Sequence, residues 1–218
     1  MNKTLPRILL TGFDPFDGET VNPSWEAVRA LHGRRVGGHL VAARRLPTEF
    51  AASLRLLKAA LRELKPVLVV GVGQAGGRPQ LSLERVAINL QDARIPDNAG
   101  AQPIDEPVIA GAPAAYFSTL PLKSMLAALH DAGLPAEISH SAGTYVCNHI
   151  AYAMLHLAAK RRGVRAGFIH IPYLPAQAAS LRGAASMAQA EVERGLLIAL
   201  RTAATTSVDR KLAGGSLD

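Results

Sequence analysis

Short, nearly continuous apolar runs alternate along this chain with longer stretches of helical spacing, a pattern that predicts buried strands between amphipathic helices. Arg7 to Thr11 ends at Gly12 and predicts a buried strand. A loop containing Phe13, Pro15, Phe16, Gly18 and Asn22-Pro23 follows, after which Asn22 or Ser24 caps a helix through about Leu31. His39 to Leu46 predicts a second strand. Pro47-Thr48 opens a helix through about Leu64, with Phe50, Leu54, Leu57, Ala60 and Leu61 on one face. Pro66 to Val70 is rich in β-branched residues, the mark of a central parallel strand.

Leu81 to Leu90 alternates, but its phase slips at Glu84-Arg85, which predicts a bulge or turn that re-aims a side chain there. Asp92 to Pro107 is rich in Pro, Gly, Asn and Asp and predicts a loop or extended hairpin. Leu120 to Asp131 predicts a helix stopped by Gly133-Leu134-Pro135. Glu137 to His140 predicts a short strand, and Ile150 to Ala159 a helix. Arg165 to Ile171 is a further buried strand, Ser180 to Ala204 a closing helix, and about 205–218 a loose tail. The fold class that follows is α/β: a single-domain α/β/α sandwich around a twisted, mostly parallel sheet, covering residues 1–218 as one catalytic domain. In such sheets, sites lie beyond the carboxyl ends of the strands.

Charge changes the picture less than its size implies. The net charge of +7 comes from small scattered groups such as Arg34-Arg35, Arg44-Arg45 and Lys160-Arg161-Arg162, and aromatic residues make up only 5%. A stacking platform needs aromatics interleaved with basic residues, so the basic surface reads as solvated. No run approaches the ~18 apolar residues of a membrane span, and Met1 to Arg7 lacks an apolar signal core. A single cysteine excludes a disulfide framework and favours a reducing, cytoplasmic home.

That cysteine, Cys147, falls where a strand gives way to a helix. A thiol in the first helical turn faces unpaired N–H groups and the positive end of the macrodipole, which favour the thiolate. His170 closes the next predicted strand, and neighbouring parallel strands would bring the two together. A thiolate needs a base, and the base needs an orienting partner, a part Glu84 can fill from its kink. Residue type and spacing leave blander readings open. His170 also suits a satisfied strand-end histidine, Glu84 a carboxylate paired with Arg85, and Cys147 a small buried hydrophobe.

Two other motifs compete. Gly71-Val72-Gly73-Gln74-Ala75-Gly76 matches Gly-x-Gly-x-x-Gly after a strand, but Gly77-Arg78-Pro79 leads into extended sequence where a dinucleotide site needs a helix. A glycine-rich turn packed close to the active site fits better. His140, Cys147, His149 and His170 offer nitrogen and sulfur, yet Cys147-Asn148-His149 is not a usual zinc spacing. A nucleotide- or nucleic-acid-binding α/β module is the alternative to an enzyme.

Four blocks carry a resemblance to a known family. They are Leu9 to Ser24, Gly73 to Arg78, Glu84 to Asn89 with Asp92 to Asn98, and Ser141 to Asn148 with Phe168 to Tyr173. Together they span about Ile8 to Pro175 and resemble the type I pyroglutamyl peptidases, or pyrrolidone-carboxylate peptidases, a family of cysteine exopeptidases. The resemblance implies removal of an N-terminal pyroglutamyl residue from peptides through a thioester. It makes Cys147 the nucleophile, His170 the base and Glu84 the acidic member of the triad. By the same resemblance, Phe13 and Phe16 wall the lactam pocket, Asn22 and backbone groups near Gln74 and Val146 bind the lactam, and Arg94 supplies positive charge nearby. Loop phenylalanines also pack, and Asn22 before Pro23 also suits a helix cap. The family implies no metal or organic cofactor, no nucleic-acid or membrane partner, and a homo-oligomer, commonly a tetramer in bacteria. One departure is Asp17, which stands where many relatives carry glycine and puts the local loop shape in doubt.

Overall fold

The computed structural model describes residues 5–215. In chain order the elements are β1 (Arg7–Phe13), α1 (Pro23–Ala30), β2 (Arg35–Val36), β3 (His39–Leu46), α2 (Phe50–Leu64), β4 (Leu68–Gln74), β5 (Leu81–Glu84) and β6 (Val86–Ile88). They continue as β7 (Ala115–Phe117), α3 (Leu122–Asp131), β8 (Ala136–Ser139), α4 (Val146–Ala159), β9 (Arg165–Ile171), α5 (Pro175–Ala178) and α6 (Gln189–Thr205).

The main sheet runs β2-β3-β1-β4-β9-β5-β8. Its pairings are parallel except β2 with β3 and β5 with β9. The β-branched run after Pro66 becomes β4, with parallel neighbours on both sides, as a central strand requires. One apolar layer joins the sheet to α1, α3 and α6 through Val28, Met125 and Leu196. The opposite layer joins it to α2 and α4 through Leu57, Ile150 and Met154. The α/β/α sandwich expected from the alternation is the fold found.

Two sequence expectations need correction. The closing helix begins at Gln189, not Ser180. Gly183 turns the chain at φ +75°, and Met187 N–H then bonds Tyr173 O at 2.9 Å, which draws 180–188 back onto the end of β9. Second, the strands before Cys147 and before His170 are not neighbours. β5 lies between β8 and β9, antiparallel to β9, so Cys147 reaches the site because α4 crosses back over β4 and β9. The phase slip at Glu84-Arg85 marks the point where the chain leaves the main sheet. β5 ends there, and β6 pairs instead with β7 in a separate two-stranded ribbon.

Residues 206–215 carry neither helix nor strand. Asp209 nevertheless accepts from Lys123 N at 3.0 Å, Ser124 N at 2.8 Å and Ser124 Oγ at 2.9 Å. It thereby caps α3, whose own cap position is Pro121 and offers no side-chain bond. The end of the expected tail, 216–218, and the N-terminal residues 1–4 lie outside the described residues.

Candidate active site

The central feature is a carboxylate and an imidazole buried together. Glu84, the last residue of β5, is 2% exposed, and His170, near the end of β9, is 4% exposed. The antiparallel register sets Glu84 opposite Phe168 and Ser82 opposite His170, so all four share one face of the sheet. His170 Nδ1 lies 2.7 Å from Glu84 Oε1. An ionised carboxylate only accepts, so Nδ1 carries the proton and Nε2 is the free basic nitrogen. Burial pushes the Glu84 carboxyl upward. The bond to His170, the charge of its ring, the Ser139 hydroxyl and the Arg78 guanidinium act against it and hold the group below its ordinary value.

Cys147 is the second residue of α4 and meets this face from above. Gly73 on β4 is the register partner of His170, so the two residues point to the same side. A Cβ built on Gly73 would lie 2.7 Å from Cys147 Sγ and 2.9 Å from the Phe168 ring. The sulfur therefore rests over the missing side chain of the strand residue beside His170. Gly71 makes room likewise for the Phe168 ring, and Gly76 for the Tyr173 hydroxyl. These glycines sit in or just past a strand that leads into β5, with no phosphate-binding helix, and their role is steric.

Cys147 retains intermediate exposure as a residue while its sulfur lies against Gly73. Its acidity differs from the expectation drawn from helix position. Burial, helped by the Glu84 charge and opposed by Arg78, pushes the thiol up to about 12. Burial is the largest of these effects, and the sulfur lies against Gly73. Tyr145 caps α4 without a side-chain bond, which leaves the first-turn N–H groups without a capping side chain.

Arg78 was not singled out by the sequence. Its Nη1 lies 2.7 Å from Glu84 Oε1 and 3.3 Å from Ser139 Oγ, and Nη2 donates to Ser141 O at 2.9 Å. The anticipated partner Arg85 instead leaves its Nε buried without a hydrogen bond. The available signal was a lone cation in the glycine loop, six positions before Glu84. Tyr145 was also missed. Its ring lies 6.1 Å from Phe16 and 5.5 Å from Phe50, and its hydroxyl donates to Pro96 O at 3.0 Å.

The residues expected around the lactam fall as follows. Phe13 is buried, 6.3 Å from Phe168, whose ring lies 4.9 Å from that of His170. Phe16 is half-buried against Tyr145. Phe13 is the last residue of β1 and not part of the loop expected from the sequence, so the end of that strand and the loop after it supply aromatic contacts toward both the imidazole and α4. Asn22 caps α1: its Oδ1 accepts from Ser24 N and Oγ, and Nδ2 donates to Asp14 O. Asp17 adopts φ +54°, next to Gly18 at +76°, which explains why glycine suits the position. Asp is among the residues that tolerate this left-handed region best. Gln74 accepts from Gln177 Nε2 at 3.2 Å, and Val146 is fully buried at the start of α4. Arg94 is exposed in a loop tied to Thr144 by Asp92 and to Tyr145 by Pro96.

Surface cavities of about 290, 390, 300 and 340 Å³ are lined by other residues, with Asn22 alone among the expected site residues bordering one of them. Among the described residues, no three His, Cys, Asp or Glu side chains gather as a metal site. His149 lies edge-on to Phe50 at 5.5 Å, with both ring nitrogens buried and unpartnered. His156 instead pairs with the Tyr116 hydroxyl at 3.0 Å.

The chain is similar to known proteins over nearly its whole length. A family model described as pyroglutamyl peptidase matches residues 6–206. A pyrrolidone-carboxylate peptidase of Klebsiella pneumoniae (strain 342) is 57% identical over 209 residues, covering 96% of this chain and 98% of that protein. A crystal structure of pyroglutamyl peptidase I from Bacillus amyloliquefaciens superposes with a TM-score of 0.93 at 44% identity, covering 96% of this chain and 100% of that one. An A199P variant of the Pyrococcus furiosus pyrrolidone carboxyl peptidase gives a TM-score of 0.90 at 40% identity, covering 93% and 100%.

Two predictions follow from the packing. Gly73→Ala forces the sulfur or the Phe168 ring to move, and we expect kcat/KM to fall by about 100-fold or more while stability drops by about 1–3 kcal/mol. Near-native turnover of that variant, measured beside its urea midpoint, would contradict the close approach. His149 concerns pH. Burial lowers its pKa from 6.5 to about 4. Below pH 6.5 the unfolded chain therefore binds a proton that the folded one refuses, and stability declines from about pH 6.5 to 4, by about 3 kcal/mol at most. His149→Phe should flatten that segment of the stability-pH curve; an unchanged slope would exclude His149 as its source.

Proposed function

This chain belongs to the pyroglutamyl peptidase family, cysteine-type enzymes that remove an N-terminal pyroglutamyl residue from peptides, and we propose the following division of labour among its residues. Cys147 is the nucleophile, His170 the base, and Glu84 the carboxylate that orients it. The observation that carries this reading is the stacking of three elements at one place: Sγ over Gly73, Gly73 in register with His170, and His170 bonded to Glu84.

In this scheme Nε2 of His170 takes the thiol proton as sulfur attacks the carbonyl that joins pyroglutamate to the next residue. Uncapped N–H groups at the start of α4, including that of Cys147, receive the developing oxyanion. The imidazolium then protonates the leaving amine. Water, activated by the neutral imidazole, hydrolyses the thioester and releases pyroglutamate. Glu84 remains ionised throughout and holds the ring in the required tautomer.

Pyroglutamate is a small neutral lactam without a free α-amine, so its slot needs apolar walls and a few amide-matching bonds. Phe13 and Phe16 supply walls, and backbone groups at Gln74 and Val146 bind the lactam. Asn22 acts by fixing the loop between them, since its amide is already engaged by Asp14 and Ser24. Arg94 adds positive charge beside the start of α4. The lone cysteine suits a reducing cytoplasm, and the chain acts without metal or organic cofactor. We read the assembly as a homo-oligomer, tetrameric by family resemblance; Ile104 and Phe117, 68% and 71% exposed, are apolar surface that an assembly can cover.

The decisive variant is Cys147→Ser. It should keep its thermal transition while cleavage of a pyroglutamyl-coumarin amide drops to background, and wild-type enzyme should leave the prolyl analogue uncut. Retained turnover by the serine variant would remove Cys147 from the mechanism. Light scattering tests the assembly: a mass near four times 23.0 kDa is expected, and a monomer at micromolar concentration would refute it.

A further inference from the structure

We propose that Arg78 is a positioning residue of this reaction, locking the Glu84 carboxylate that in turn orients His170; the inference rests on the roles assigned above to Cys147, His170 and Glu84. The case begins with Oε1 of Glu84. It receives both His170 Nδ1 and Arg78 Nη1, each at 2.7 Å, whereas Oε2 is buried with no partner. Two donors on one oxygen fix the plane of the carboxylate. With the guanidinium gone, a single neutral imidazole would have to hold a charged group that is 2% exposed. The carboxylate could then turn toward its empty oxygen or take up a proton, and either change releases the ring.

The remaining contacts of Arg78 extend the same function. Its Nη2 bond to Ser141 O and its Nη1 contact with Ser139 Oγ hold the segment between β8 and α4, which delivers Cys147. One planar fork thus ties the strand bearing the carboxylate to the approach of the nucleophile helix. Lysine offers a point charge on a flexible stem and cannot reproduce both arms in fixed geometry. Arg78 is 30% exposed, whereas the carboxylate it holds is 2% exposed. Both terminal nitrogens bond inward to protein, which makes Arg78 a support for the triad rather than a ligand of the peptide.

Charge supports the geometry. The titratable and charged groups that bear on the sulfur are Glu84, Arg78, His170 and Tyr145, with Asp17 and Asp97 acting on Tyr145. Among them Arg78 lowers the Cys147 pKa and Glu84 raises it. Removing the guanidinium leaves the carboxylate unopposed and moves the onset of thiolate reactivity to higher pH.

The test uses Arg78→Gln, Arg78→Lys, Glu84→Gln and the double variant Arg78→Gln/Glu84→Gln, with Cys147→Ser as reference. On a pyroglutamyl-coumarin amide we expect R78Q to lose about 10- to 100-fold in kcat with KM within about threefold, and R78K to recover part of that loss. The pH midpoint for iodoacetamide modification of Cys147 should rise in R78Q. Because Arg78 acts through Glu84, the double variant should be about as slow as E84Q alone, where independent effects would multiply. Wild-type kcat and an unshifted alkylation profile in R78Q would overturn the proposal, as would a loss confined to KM or multiplicative losses in the double variant. If R78Q does not fold, the R78K profile decides: an unshifted midpoint with wild-type kcat overturns it. Turnover by C147S would instead sink the triad reading itself, so the two failures are distinguishable.

Discussion

A carboxylate removed from water must have its charge matched, and the architecture of this site follows from how Glu84 meets that demand. The group is buried at the end of β5, where desolvation favours the protonated form. It stays ionised because β9 runs antiparallel beside it and delivers His170, while the glycine loop returns to deliver Arg78. The reversed strand in an otherwise mostly parallel sheet thus has a chemical consequence. Lying between β8 and β9 and antiparallel to β9, β5 is the strand that carries the carboxylate.

The second constraint is steric. A sulfur, an imidazole and a phenylalanine ring must share one face of the sheet, and side chains on β4 would fill that space. Glycine at positions 71 and 73 empties it, one beneath the Phe168 ring and one beneath Cys147 Sγ. The Gly-x-Gly-x-x-Gly spacing arises here because residues two apart on a strand face the same way. In a dinucleotide site the same letters serve a turn into a helix. Period two, rather than a phosphate, accounts for the first two glycines.

Much of this was legible in the sequence wherever local signals and tertiary packing agree. The β-branched run at Pro66 to Val70, the edges of His39 to Leu46 and Arg165 to Ile171, and the phase slip at Glu84-Arg85 all correspond to features of the fold. Cys147, His170 and Glu84 stood out as candidates because each lies at or near the end or start of an element. Strand order was not legible: nothing local says that β5 enters between β8 and β9 in reverse. The start of α6 was misplaced because the apolar spacing of Ser180 to Ala188 is satisfied by folding back onto β9, not by helix. Arg78 escaped notice because its partners stand 6, 61 and 63 positions away, and only the folded chain assembles them.

The thiol presents the remaining physical question, since burial opposes the ionisation that nucleophilic attack requires. The proposed relay resolves it without exporting charge. Before transfer the site holds Glu84 and Arg78 as an ion pair beside a neutral imidazole and a neutral thiol. After transfer the order is thiolate, imidazolium, carboxylate, guanidinium, with signs alternating along the array and the same net charge. Moving a proton between neighbours in that order creates a second pair inside an existing one, which costs far less than ionising an isolated buried thiol. The nucleophile is then strong only while the imidazole is in place to receive its proton. A sulfur with little tendency to ionise alone, matched to a base held rigidly by Glu84, keeps reactivity confined to the moment of attack.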